Sequence, residues 1–445
     1  MTTRITKTAT ANAATLDAGL MNRRALLKSG AGLLATVAAA RSLLPGGAWA
    51  APATPEVTGA RLGYIALTDS APLIVAKEKG LFEKYGMPDV SVEKQASWGA
   101  TRDNMALGSQ GGGIDGAHLL RPNVHLYSTG KVMQNNVPLP MYALLNLNEN
   151  CQGISVSNAY KDLGVGLKTG GLREAFAQKK AAGTPATVAM TFPGGTHDLW
   201  IRYWLAANGI DPNKDVNLIV VPPPQMVANM KVGNMDAFCV GEPWNEQLVH
   251  QKIGFTATTT SEIWMRHPEK VLGMRADWVD AHPKAAVALM SAVMEAQMWC
   301  EKMENKDEMA KIVSSRQWYN VPVNDIVGRI KGDINYGNGR EEKGTPYLMR
   351  FWGEKGETSY PWKSLDSWFI TENKRWGVFG ADLDAKALVD KTNRSDLWLE
   401  AAKGLGLDTA GFGDSRGTET FFDGKTFDPA NPQAYLDSLS IKALA

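Results

Sequence analysis

The stretch GTPATVAMTFPGGTHDLWIRYWLAANGI, residues 183–210, sets how the rest of the chain is read. A short run of β-forming apolar residues over 186–191 enters a Pro193-Gly194-Gly195 turn, and a helical pattern then runs to about residue 207, where Asn208-Gly209 closes it. Thr196 stands where a helix N-cap is expected, with His197 in the first helical turn. The positive end of a helix disfavours an imidazolium unless a negative group lies beside it. His197 next to the outward-facing amides of a Gly-rich turn therefore reads either as a donor to a bound anion or as an ordinary histidine after a cap.

The same unit recurs outward from this point. In ARLGYIALTDSAPLIVAKEKGLF, residues 60–82, a strand over 62–67 meets a polar turn at 68–70 and a helix with Pro72 in its first turn and Gly80 as its stop. SWGATRDNMALGS, residues 97–109, predicts a short helix ended by Gly108. VNLIVVPPPQMVANMKVGNMDAFCVGEPW, residues 216–244, predicts strand, Pro-rich turn, helix and strand. Alternating strands and helices point to α/β layers, and in open α/β sheets ligands collect at the carboxyl ends of strands. Two such blocks, roughly 58–145 and 155–265, suggest two lobes with a cleft between them. Residues 282–335 look helical, with a methionine stripe that reads as core filling. The expected division is 51–150 for the first part of lobe 1, 151–272 for lobe 2, 273–340 for a helical return to lobe 1, and 341–445 for an extension packed over the lobes, rich in aromatic turns and poor in periodicity.

Residues 1–50 form a different kind of text. Arg23-Arg24, a moderately apolar Ala/Leu/Gly stretch too short to span a bilayer, and Ala48-Trp49-Ala50 read as a removable export signal of the twin-arginine kind. No cysteine lies near the cleavage point, so a lipid anchor is not expected. These fifty residues hold six Lys/Arg and one acid, so their removal takes the formal charge from +1 to near −4. That balance, with no basic run, argues against nucleic acid as a partner. Cys151, Cys239 and Cys300 have neither metal nor redox spacing and read as buried thiols.

Four further polar or permissive positions stand near strand ends. Trp98 offers an indole N–H with no competing acceptor. Gln152, in NENCQGISV, marks the entry to the second lobe. Gly241, in CVGEPWN, would let the backbone approach a ligand. Lys270, in MRHPEKVLGM, precedes the next strand-like segment. Taken singly, each also has an ordinary reading: a core aromatic, a turn amide, a plain turn and a solvated lysine.

Together with GYIALTDSAPLIVAKEKGLFEKYG, SWGATRDNMALGSQGGGIDGAHLL, PGGTHDLWIRYWLAANGI, VVPPPQMVANMKVGNMDAFCVGEPWN and SYPWKSLDSWFITENKRWG, these positions closely resemble the nitrate-binding components of ABC nitrate transporters, the NrtA type, over residues 61–377. The bicarbonate-binding CmpA type is a sister with the same architecture. The resemblance implies a C-shaped, two-lobed periplasmic binding protein fold of type II that closes on a small oxyanion, nitrate or nitrite, and delivers it to a membrane permease and its ATPase. It also implies that Trp98, Gln152, His197, Gly241 and Lys270 contact the anion. The bicarbonate proteins resemble this chain but carry an acid at the position of Lys270, which helps hold calcium; here lysine supplies charge directly, and neither a metal nor another cofactor is expected. A weakly hydrated planar monoanion in a closed cleft needs directed donors and at least one positive charge, and this set provides both. The cyanobacterial members carry a lipoprotein cysteine that this chain lacks, and a cytoplasmic nitrate-sensing class lacks the export signal seen here.

Two other readings stand beside this one. The first is a binding protein for another anion, bicarbonate with calcium or a sulfonate. The second is a periplasmic enzyme, against which stands the absence of His-Glu-x-x-His and of a cysteine cluster.

Overall fold

Two five-stranded sheets carry the fold of the computed structural model, which describes residues 54 to 443. The expected export signal over 1–50 lies outside the described residues. The first sheet takes β1 (Arg61–Tyr64), β2 (Ser91–Lys94), β3 (Gly116–Leu120) and β4 (Met141–Asn146). The second takes β5 (Gln152–Ser157), β6 (Ala186–Met190), β7 (Val216–Val220), β8 (Ala237–Gly241) and β9 (Gly254–Thr259). A last strand, β10 (Lys270–Arg275), returns to the first sheet, so the chain is back in that sheet by Lys270 rather than at 273. The strand orders are β2-β1-β3-β10-β4 and β7-β6-β8-β5-β9. In each, three strands run parallel, as βα units require, and the strand adjoining a crossover lies fourth, antiparallel to both neighbours. β5 and β10 are buried for five of their six residues, as strands covered on both faces must be.

The two crossovers run antiparallel and hydrogen-bond to each other: Leu147 N donates to Lys270 O at 2.8 Å, Asn150 N to His267 O at 3.1 Å, and Glu269 N to Asn148 O at 3.2 Å. Gln152 and Lys270 each begin a strand at the end of a crossover, which places both between the sheets.

Five helices build the surroundings of this junction: α1 (Ala71–Glu78), α2 (Trp98–Leu107), α3 (Thr196–Ala207), α4 (Pro283–Glu301) and α5 (Lys363–Arg375). Pro72 lies in the first turn of α1, and α2 ends at Gly108 with φ 66°, a left-handed value that glycine adopts at little cost. α4 packs on α1, and Met290 and Met294 fill the core there. Cys151, Cys239 and Cys300 are free, buried thiols. Among the described residues no helix is long and apolar enough to cross a membrane.

The region after 341 is more helical than its sequence suggests, with Ala385–Thr392, Ser395–Gly404 and Pro432–Ser438 following α5. α5 hides its signal because polar Asp366, Glu372, Asn373 and Arg375 are buried together with Trp368, Phe369 and Ile370, leaving no clean apolar stripe. This extension grips both lobes. Arg121, just after β3, pairs with Asp366, while Trp200 of α3 stacks on Trp368 at 5.2 Å between ring centroids, in a cluster with Trp264 and Phe421.

Candidate functional site

Lys270 is fully buried and is the hub of the contacts between the sheets. Its Nζ donates to Asp69 Oδ2 at 2.8 Å, to Glu269 Oε1 at 2.9 Å and, more weakly, to Gln152 Oε1 at 3.4 Å. An ammonium has three hydrogens, so all are engaged. Burial alone would lower its pKa, but the two carboxylates outweigh that and raise it, so Lys270 is charged. Beside the sequence-based expectation of a charge offered directly to an anion, the structure adds that the ammonium is shared between two acids.

Asp69 comes from the polar turn after β1. Burial pushes its carboxyl up, yet Lys270 and His118, whose Nε2 lies 2.6 Å from Oδ1, together hold it well below the usual range. Gln152 Nε2 donates to Asp69 Oδ2 at 3.2 Å. Glu269 behaves differently. Its Oε1 accepts from the Thr196 hydroxyl as well as from Lys270, and its Oε2 from Trp200 Nε1 at 2.7 Å, but burial prevails and its pKa is raised.

His197 is buried, and burial, followed by the Lys270 charge, holds its pKa well below the ordinary value. It is therefore neutral, with Nε2 donating to Gln152 Oε1 at 3.0 Å and Nδ1 accepting from the Thr191 hydroxyl at 2.6 Å. Two expectations about its helix are corrected. The N-cap of α3 is Gly195 and not Thr196, because the buried Glu269 carboxylate takes the Thr196 hydroxyl. The turn amides are also not free, since Gly194 N donates to Asp198 Oδ2 at 2.8 Å and Gly195 N to Phe192 O at 3.1 Å.

Gly241 faces Gln152 across the β5–β8 pairing. A Cβ at Gly241 would lie 2.5 Å from Gln152 Oε1 and 3.1 Å from Leu67 Cδ2, so a side chain there would displace the Gln152 amide. Trp98 opens α2 behind the Ser97 cap and lies over His118, with ring centroids 5.4 Å apart. Its indole Nε1, the Thr68 hydroxyl and His118 Nδ1 are buried with no hydrogen-bond partner among the described residues. Unsatisfied buried polar groups are costly, and here they adjoin a cluster that joins both sheets.

Residues 53 to 314 match the NMT1-like family. Over 393 residues, 88% of this chain and 86% of the relative, the chain is 59% identical to the nitrate/nitrite binding protein NrtA of Synechocystis. The chain belongs to the NrtA family. Its fold superposes on the crystal structure of the periplasmic nitrate-binding protein NrtA from Synechocystis with a TM-score of 0.84 and 58% sequence identity, covering 87% of this chain and 100% of that one. The bicarbonate-binding protein CmpA of Synechococcus elongatus is 45% identical over 396 residues, 87% of this chain and 88% of the relative.

In this NrtA-family chain the structure brings Gln152, His197, Gly241 and Lys270 into one connected cluster, with Trp98 joined to it through His118 and Asp69. Sequence reading passed over Asp69, His118, Glu269 and Thr68. Thr68 and Asp69 were legible only as a polar turn, and Glu269 only as the neighbour of Lys270.

Proposed function

We propose that this protein captures nitrate, or nitrite, between its two lobes and hands it to the membrane permease and ATPase of an ABC transporter, and that Trp98, Gln152, His197, Gly241 and Lys270 hold the anion. The observation that carries the reading is the buried Lys270 ammonium at the junction of the sheets, beside polar groups that lack partners among the described residues. Lys270 supplies charge, His197 Nε2 and the Gln152 amide supply directed donors, and Gly241 admits the ligand close to the backbone. Few contacts suffice for micromolar affinity, about −8 kcal/mol, when the site is preorganised and dry. Capture and release involve no bond making, so the protein acts as a carrier and not as an enzyme. The twin-arginine leader directs it to the periplasm, without a lipid anchor.

A second reading, bicarbonate with calcium, draws on the likeness to CmpA and on the two carboxylates at Asp69 and Glu269. Against it, the Lys270 ammonium already occupies the position between them that a cation would take. Calorimetric titration of residues 51 to 445 with nitrate, nitrite and bicarbonate, with and without calcium, separates the readings. Calcium-independent nitrate binding is expected, and binding of bicarbonate only with calcium would replace the nitrate reading with the second one.

A further inference from the structure

The charges at the site do not balance for an incoming anion. One ammonium, Lys270, faces two carboxylates, Asp69 at 2.8 Å and Glu269 at 2.9 Å, and all three side chains are fully buried. The three histidines around them add nothing. His118 contacts Asp69 from β3, His197 Nε2 lies 3.5 Å from Glu269 Oε1 on α3, and His267 Nδ1 lies 3.6 Å from Glu269 Oε2 on the returning crossover. Burial lowers the pKa of each, that of His267 to about 3, so all are neutral. Farther out, Arg416 is taken by Glu149 and Glu419, and Asp198 by Arg202. The cluster thus carries one excess negative charge before any ligand arrives. A monoanion would make it two, and uncompensated charge in a dry interior costs several kcal/mol per ion.

Resting on the anion-capture reading above, we infer that binding takes up one proton from solution and that Glu269 is the carboxyl that receives it. Asp69 is the poorer acceptor, since a lysine, a histidine and an amide all donate to its ionised form. Glu269 has one charged donor and two neutral ones, and its burial already favours the protonated form. The surroundings suit that form. A proton on Oε1 ends its acceptance from Lys270 and frees an ammonium hydrogen for the anion. The Thr196 hydroxyl, which can donate or accept, turns to accept from the carboxyl, while Trp200 Nε1 continues to donate to Oε2. The excess then stays at one negative charge instead of rising to two, because the anion and the proton enter together while the ammonium and Asp69 offset each other.

The test is calorimetric titration of the full chain with nitrate near neutral pH in buffers of different ionisation enthalpy. The observed heat should depend on the buffer with a slope of about one proton taken up per nitrate, and affinity should fall up to about tenfold per pH unit on the alkaline side. In Glu269→Gln the slope should vanish and affinity should become flat with pH. Nitrate binding without a buffer-dependent heat overturns this inference while leaving the nitrate reading intact. A slope unchanged in Glu269→Gln also overturns it, by moving the proton elsewhere, His118 or His197 included. No heat with nitrate or nitrite overturns both readings. Should Glu269→Gln not fold, infrared difference spectra of the wild-type chain decide: a protonated-carboxyl band must grow on adding nitrate, and its absence rejects the inference.

Discussion

Two buried aspartates, Asp69 and Asp366, sit in clusters of nearly the same composition, yet only one looks built for a ligand. Asp366 receives the Arg121 guanidinium through two bonds, at 2.7 and 2.9 Å, together with His125 at 3.0 Å and Asn393 at 3.1 Å. The remaining donors of that cluster are also used: Arg121 reaches Asn146 and Trp362, and His125 Nδ1 meets the Thr392 hydroxyl at 3.2 Å. Asp69 likewise has a cation, a histidine and an amide, but Trp98 Nε1, His118 Nδ1 and the Thr68 hydroxyl beside it have no partner among the described residues. The cations differ as well. An arginine fork is fixed in plane and suits a permanent tie between the first lobe and the extension, whereas a lysine ammonium can redistribute its hydrogens. A buried ionic cluster whose donors are satisfied holds structure, and the polar groups left without partners beside Asp69 are what the proposed anion would meet.

That contrast can be broken most forcefully at its structural half. Arg121→Ala leaves Asp366 buried without its cation, and urea unfolding should show a loss of about 3–5 kcal/mol, while the folded fraction still binds nitrate. A loss under about 1 kcal/mol would mean that the Asp366 cluster is not a tie. Lys270→Glu places a third acid between Asp69 and Glu269, and titration should show nitrate affinity reduced by about 2–5 kcal/mol or beyond detection. Unchanged affinity would remove Lys270 from the site.

A matched pair sharpens the comparison. Thr392→Val strips a partner from His125 Nδ1 and from the Leu388 carbonyl, and should cost about 1–2 kcal/mol of stability with no change in nitrate affinity. Thr68→Val removes a hydroxyl that has no partner among the described residues, so stability should hold or rise while nitrate affinity falls by roughly tenfold, about 1.4 kcal/mol. Equal stability losses in the two variants would erase the distinction.

The smallest effect is expected from pH near neutrality. Asp69 and Asp366 are held below their ordinary range in the folded state, so the stability they contribute is fully present above the unfolded value of about 3.9 and is lost as pH falls below it. Glu242, pushed up to about 7 by burial despite Arg329, works with the opposite sign, as does Glu269. These bind protons in the folded state first. Buried His118, His197 and His267 oppose them, since their pKa values are lowered and the unfolded chain binds protons at those sites as pH falls through about 6.5. The thermal midpoint should therefore hold or fall slightly from about pH 7 to about pH 5 and then drop below about pH 4. A clear rise within the upper of those two ranges would contradict the histidine assignments.

Much of this was legible in the chain itself. Local steric and hydrogen-bonding preferences place β6, the Pro-Gly-Gly turn and α3 within a residue of where the sequence puts them, because a strand, a turn and a capped helix depend mainly on neighbours. Trp98, Gln152, His197, Gly241 and Lys270 each have an ordinary reading taken singly, and only the resemblance to the nitrate-binding family groups them. What could not be read is whatever depends on residues far apart in sequence. Lys270 looks like a solvated lysine until the crossovers bring it to Asp69, 201 positions away, and Arg121 meets Asp366 across 245. The burial that sets the charge of Glu269, neutralises His197 and conceals the periodicity of α5 belongs to no segment alone. The order of residues was enough for the strand–turn–helix units and the kinds of polar group available. Which of those groups are satisfied and which are left over follows from the folded arrangement, since desolvation and Coulomb energy depend on distances through space and not along the chain.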